Sequence, residues 1–188
     1  MNTLNPSRKQ RPQIAPIGYP ERLKSGLRLP SNSDKSRMAT MQLPPEFSRF
    51  LSSLNRHAVD YLVIGGYAVI FHGYVRTTAD IDIWVAVNPG NAGRVEAAIR
   101  DAGFNPPWLK AEIFLRRGGV FRIGVEPLRL EIVTQIDGVE FEKCHAGRVE
   151  TQLDGLRVPF LNLDDLKANK SAAARPKDLA DLDFFSKK

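Results

Sequence analysis

From Pro44 onward the apolar positions recur at regular periods. Phe47, Phe50, Leu51 and Leu54 follow helical spacing behind Pro44-Pro45, which predicts a helix that opens on proline. Tyr61 to Ile64 is a continuous apolar run closed by Gly65-Gly66, the mark of a short buried strand. Residues 67–71 are expected to form a helix closed by His72-Gly73, and residues 80–87, rich in Ile and Val, a second strand. Asn88-Pro89-Gly90 predicts a turn, with Gly90 or Asn91 capping a helix that runs to Ala102 and stops at Gly103. Strands are expected over 121–125 and 128–135, and Asp154-Gly155 predicts a hairpin between strands 149–153 and 156–160. Asn162 is the expected N-cap of a helix starting at Leu163, with Asp164 and Asp165 in its first turn. Pro176 should open a last helix reaching Phe185. Packing of these two helices should bury Leu163, Leu166, Leu179, Leu182 and Phe185. The order predicts an α/β (α+β) domain: a small mixed β-sheet with helices packed on it.

Residues 1–40 differ from the rest. They are rich in Pro, Ser, Arg and Lys, lack apolar periodicity, and predict a disordered basic tail ahead of a domain over 41–188. Translation starting at Met38 or Met41 is the alternative. The tail carries eight basic and two acidic residues and so accounts for the whole net charge of +6. Basic and acidic residues balance over 41–188, so the overall charge gives no argument for a nucleic-acid-binding domain. The lone Cys144 excludes an internal disulfide and fits a reducing compartment. With no run near the roughly 20 apolar residues of a membrane helix and no apolar leader core, a cytoplasmic protein is expected, with no membrane partner.

The candidate chemistry lies between Val63 and Trp84. Residues i and i+2 of a strand share a face, so Asp80 and Asp82 stand side by side while Ile81 and Ile83 point to the core. Two like charges so placed repel, and a cation between them relieves the repulsion. Hard oxygen donors favour magnesium, or manganese in its place. Gly65-Gly66, between a strand and a helix, lets backbone amides approach phosphate groups, and a helix start favours anions. A solvent-facing acidic pair and an ordinary tight turn are the plainer readings of each feature taken singly.

Taken together, Gly65-Gly66, His72-Gly73, Arg76, Thr78, Asp80 and Asp82 resemble the signature of the DNA polymerase β-like nucleotidyltransferases. They are most similar to the minimal bacterial AbiEii-like toxin group, which often reads Gly-Gly or Gly-Ser, then Arg-x-Thr/Ser-x-Asp-hydrophobic-Asp. The resemblance is carried by the 22 residues 63–84. It implies the polymerase β-like fold and a third carboxylate on a later strand. Glu131, within Leu128 to Val133, is the candidate, a departure from the more usual Asp. A second block from Leu166 to Asp181 resembles the same group's C-terminal Lys … Arg-x-Lys-Asp pattern, which implies nucleotide contacts for Lys170 and Asp178. The implied catalytic and metal set is Asp80, Asp82 and Glu131 around two magnesium ions. Gly65, Gly66, Arg76, Thr78, Lys170 and Asp178 are implied around a nucleoside triphosphate. The implied reaction transfers a nucleoside monophosphate to an acceptor hydroxyl on an RNA or tRNA end or on a protein. The group also implies the toxin of a toxin–antitoxin pair, with an antitoxin protein as partner. A catalytically silent nucleotide- or nucleic-acid-binding module that keeps the fold is the alternative.

Other residues read as structural. Adjacent Cys144 and His145 do not face one another as nucleophile and base, and His72 reads as a packing histidine. Trp84 and Trp108 read as core or rim, and Arg116-Arg117 as a solvated turn.

Overall fold

A computed structural model describes residues 43–125 and 128–187. The expected tail, residues 1–40, lies outside them. Six helices and six strands alternate as α1 (Pro45–Arg56), β1 (Tyr61–Ile64), α2 (Gly65–Phe71), β2 (Asp80–Val85), α3 (Pro89–Asp101), β3 (Val120–Val125), β4 (Leu128–Val133), α4 (Phe141–Ala146), β5 (Val149–Leu153), β6 (Leu156–Phe160), α5 (Leu163–Ala173) and α6 (Pro176–Ser186). A 3-10 helix, Ala111–Leu115, precedes β3. The strands form one mixed sheet in the order β3-β4-β2-β1-β6-β5. β2 runs antiparallel to β1 and parallel to β4, while β1 and β6 are parallel. The α/β expectation therefore holds: a small mixed sheet with helices packed on it.

The core follows from the apolar periods. Phe47, Phe50, Leu51 and Leu54 of α1 are all fully buried, as are Ile81 and Ile83 on one side of β2. On the other side of β2, Trp84 is buried edge-on against Phe141 of α4. That face is covered at Trp84 and more open two and four residues earlier, at Asp82 and Asp80. α1 is fastened to α3 by Ser53, whose hydroxyl contacts the Ala98 carbonyl at 2.8 Å and Asp101 at 2.7 Å.

Some local details differ from expectation. The cap of α3 is Asn88, not Gly90 or Asn91: Pro89 occupies the first turn, and the Asn88 side chain accepts from the Asn91 amide. β2 ends at Val85, and β4 at Val133. Leu179 is 53% exposed because α6 turns Asp178, Asp181 and Phe185 inward, and residue 179 lies about 100° around the helix from 178. Leu166 and Phe185 are buried as expected, with Leu163 packed against the core.

Asn91 has a different task. Its fully buried side chain accepts from the Asp60 amide at 2.8 Å. It donates to the carbonyls of Asp60 at 3.1 Å and Ala86 at 3.0 Å. One side chain thereby joins the start of α3 to the chain just before β1 and just after β2. Asn91→Ala leaves these backbone groups short of partners and is expected to cost roughly 2–4 kcal/mol. Urea unfolding of the two proteins measures the difference; a loss below about 0.5 kcal/mol, the range of ordinary surface substitutions, contradicts the assigned role.

Candidate active site

The site is built where β1 ends. Ile64 pairs with Asp82 across the antiparallel ladder, so the chain leaving β1 turns into α2 directly beside that carboxylate. Gly65 adopts φ +61°. A β-carbon there would lie 2.7 Å from Asp82 Cγ and nearer still to Oδ2, so only glycine fits. At Gly66 a β-carbon would lie 2.8 Å from Thr78 Cβ and nearer still to its Oγ1. The glycine pair thus makes room for the site's own side chains. The Gly66 amide donates to Asp82, which places a carboxylate at the start of the seven-residue α2. Thr78 also steadies the approach to β2, its hydroxyl donating to the Asp80 carbonyl at 3.2 Å.

The parallel pairing of β2 and β4 aligns the charges. Asp80 lies opposite Arg129, and Asp82 opposite Glu131; β3 in turn sets Arg122 opposite Glu131. Arg129 grips Asp80 with both arms of its fork, Nε to Oδ1 at 3.0 Å and Nη2 to Oδ2 at 2.8 Å. Arg122 Nε donates to Glu131 Oε2 at 2.7 Å. The three expected carboxylates therefore share one face, with two guanidiniums among them. Asp82 has no guanidinium bonded to it among the described residues. Burial first, then the charge of Glu131, push its carboxyl up to about 6; Lys177 pulls the other way, Asp80 adds to the rise, and the Gly66 amide opposes it. Among the described residues, no three or more His, Cys, Asp or Glu side chains are gathered closely enough to hold a metal ion by themselves.

Arg76, Lys170 and Asp178 meet one another through Asp181. Arg76 clasps Asp181 at 2.9 and 3.2 Å. The Lys170 ammonium reaches Asp178 at 2.9 Å and Asp181 at 2.6 Å, and Arg175 Nε reaches Asp178 at 2.5 Å. Lys170 is only 3% exposed, and its ammonium is turned to these two aspartates rather than to solvent. Sequence reasoning sets lysines on solvated faces. Here Asp178 and Asp181, spaced i,i+3 on one side of α6, bring Lys170 inward. Burial raises the Asp178 carboxyl, but the hydrogen bonds from Arg175 and Lys170 outweigh it and hold it below the usual carboxylate range. The network ties the loop before β2 to α5 and α6. In doing so it brings the exposed start of α6 toward the carboxylates: Lys177 and Arg175 are the cations whose charge reaches Asp82. Arg122 and Arg129 are residues that sequence reasoning missed, the alternation of Arg129 with Glu131 on one strand being the available signal. Arg175 and Lys177 lie in the C-terminal Arg-x-Lys-Asp block, which implied no role for them.

The remaining candidates are structural. Cys144 is buried, and burial followed by Asp165 push its thiol up to about 12, far from a thiolate nucleophile. His145 stacks on Phe141, and the His72 ring lies 2.8 Å from the Leu161 carbonyl.

The sequence matches no protein-family model and no curated protein. The structure is similar to the crystal structure of a "putative nucleotidyltransferase" from Thermotoga maritima. The identity is 15% and the TM-score 0.48, over 75% of this chain and 88% of that one. No helix among the described residues is long and apolar enough to cross a membrane.

The two charge clusters predict different mutant behaviour. Lys170→Met takes one of two cationic partners from each of two buried carboxylates and should cost roughly 1–3 kcal/mol of stability; a thermal melt unchanged from wild type contradicts the network. For Asp82 the folded carboxyl titrates near 6 against an ordinary 3.8, so the native state holds the proton more tightly. Its ionisation weakens the fold in full above pH 6, and the effect fades as pH falls toward 4. Asp82→Asn should therefore melt higher than wild type at pH 7.5 in chelator, with the gap closing between pH 6 and 4. A gap that is constant with pH contradicts the assignment.

Proposed function

We propose that the protein is a divalent-metal-dependent nucleotidyltransferase that moves a nucleoside monophosphate from a nucleoside triphosphate to an acceptor hydroxyl. The observation that carries this reading is the carboxylate face, Asp80, Asp82 and Glu131 in register, with the Asp82 carboxylate seated where a β-carbon at Gly65 would otherwise lie. The resemblance of residues 63–84 to the polymerase β-like nucleotidyltransferases supports it.

The residues fit magnesium by donor chemistry. Asp80 and Asp82 offer hard oxygens from one face, and the carboxyl of Asp82 is raised by burial first and by the charge of Glu131 second, so a cation there would favour its ionised form. Two protein carboxylates suffice, because magnesium usually completes its shell with water and substrate phosphates. Once bound, the metal would supply charge neutralisation and orientation at the transferred phosphate. The chain's own residues do the rest. Gly65 and Gly66 make room for Asp82 and Thr78 at the end of β1, beside which the phosphates would lie, and the Gly66 amide keeps Asp82 aimed. Lys177 and Arg175 lend positive charge from α6. The acceptor oxygen bonds to the α-phosphorus, the bond to the bridging oxygen breaks, and pyrophosphate leaves. Glu131 takes the hydroxyl proton, and Arg122, already bonded to its Oε2, steadies the carboxylate. Arg76, Lys170 and Asp178 position α6 in this account. The acceptor class is an RNA or tRNA end or a protein, with an antitoxin as regulatory partner.

One observation favours a second reading. Asp80 and Glu131 are each bonded to an arginine, as expected of a domain that keeps the fold and binds without reacting. Incubation with labelled nucleoside triphosphates, magnesium and cell extract separates the two. Wild type should label RNA or protein, and Asp80→Asn and Asp82→Asn should each lose about a hundred- to a thousandfold while remaining folded, the loss being typical when a group that stabilises the transition state is removed. Absence of label with every nucleotide favours the binding module; near-normal labelling by either variant refutes the carboxylate assignment.

A further inference from the structure

We propose that Arg129 is a displaceable counter-ion for Asp80, one that makes uptake of a divalent cation depend on the nucleotide arriving with it. The inference rests on the nucleotidyltransferase reading and concerns the order in which its site is filled.

The geometry gives the competition directly. Both oxygens of Asp80 are taken by the Arg129 fork, at 3.0 and 2.8 Å. A cation approaching Asp80 must therefore displace a bidentate guanidinium or share a crowded carboxylate. Glu131 gives no easier entry, because Arg122 is bonded to it, and Asp82, which has no guanidinium bonded to it among the described residues, offers a lone cation a single carboxylate. Three carboxylates facing two guanidiniums leave a lone divalent cation little charge to neutralise, and it would have to be partly stripped of water to bind.

A triphosphate changes this balance. It adds negative oxygens in the planar, bidentate geometry that guanidinium favours, so Arg129 can exchange one anionic partner for another without losing its pairing. Asp80 is then released to the metal that enters with the phosphates. Burial decides which cation can make such an exchange. The side chains of Arg129 and Asp80 are 35% and 34% exposed, so water screens their pairing and can solvate both groups in transit. Lys170 is 4% exposed at its side chain and faces carboxylates at 0% and 2%, where any departure leaves buried charge unpaired. Arg129 is thus a movable cation and Lys170 a fixed one. Position adds to the case: Arg129, the second residue of β4, is paired with Asp80, the first residue of β2, at the end of the paired segment.

The test follows manganese, whose aqueous signal in electron paramagnetic resonance reports the unbound ion. Full-length wild type, Arg129→Gln, Arg129→Lys and Asp82→Asn are titrated with Mn2+, each with and without an α,β-methylene nucleoside triphosphate that cannot be cleaved at the reacting bond. Wild type should bind Mn2+ weakly alone and strongly with the analogue. Arg129→Gln should bind Mn2+ alone about tenfold more tightly than wild type, equivalent to about 1.4 kcal/mol, and the gain from the analogue should shrink. Arg129→Lys, which keeps the charge but loses the fork, should fall between. Asp82→Asn should bind Mn2+ poorly throughout. If Arg129→Gln and Arg129→Lys both match wild type for Mn2+ alone, while wild type takes up Mn2+ with the analogue, the counter-ion role is overturned and the proposed function stands. If wild type takes up no Mn2+ even with the analogue, the proposed metal dependence fails and the inference with it. Circular dichroism melts of the same samples check folding, and the lysine variant carries the test should the glutamine variant not fold.

Discussion

The carboxylate of Asp82 occupies the space that a β-carbon at residue 65 would need, and the rest of the site depends on that close approach. It requires glycine at the end of β1 and lets the Gly66 amide meet the carboxylate. It also keeps a charged group under cover at a cost visible in its raised pKa. Such an arrangement lowers stability and is retained where a charge is wanted in a fixed place. The antiparallel pairing of Ile64 with Asp82 and the parallel pairing of Asp82 with Glu131 then carry the same face across three strands. The sheet is in this sense a ruler that spaces carboxylates.

Around that face lie ion pairs of two kinds, and burial separates their roles. The cluster of Arg76, Lys170, Asp178 and Asp181 holds its two aspartates at 0% and 1% exposure. There the desolvation of a stranded partner exceeds any gain from moving, so the cluster acts as a clamp on α5 and α6. The pairs of Arg129 with Asp80 and Arg122 with Glu131 are about a quarter to a third exposed, where solvent weakens the attraction and allows exchange. A residue pattern that resembles one nucleotide-binding block thus divides into a fixed part that positions α6 and an exposed part, Arg175 and Lys177, whose charge reaches Asp82.

Legibility in the sequence followed the range of the interaction. β1, the hairpin around Asp154-Gly155, the Asn162 cap and the start of α6 at Pro176 were readable because each is set by residues a few positions apart. The cap of α3, expected at Gly90 or Asn91, is Asn88, although proline favours the first helical position and so marks the residue before it as the cap. The six-residue α4 and the 3-10 helix were missed, being too short to show a period. In the site, Asp80 and Asp82 on one face follow from strand alternation alone. Their partners do not: Arg129 reaches Asp80 across 49 residues, and Arg76 reaches Asp181 across 105. Register between distant strands, and the inward turn of a lysine toward two aspartates, are decided by packing and leave no local trace.

The claim that organises this account is that Asp80 and Asp82 together take a divalent cation when a nucleotide is present. Crystals grown with Mn2+ and an α,β-methylene nucleoside triphosphate, measured at the manganese absorption edge, test it most directly. The account predicts an anomalous peak within coordination distance of both carboxylates, with phosphate oxygens completing the shell beside Gly65-Gly66 and the Arg129 fork moved from Asp80 to the phosphates. Nucleotide bound elsewhere, or bound here with no anomalous peak and Arg129 still on Asp80, would contradict it.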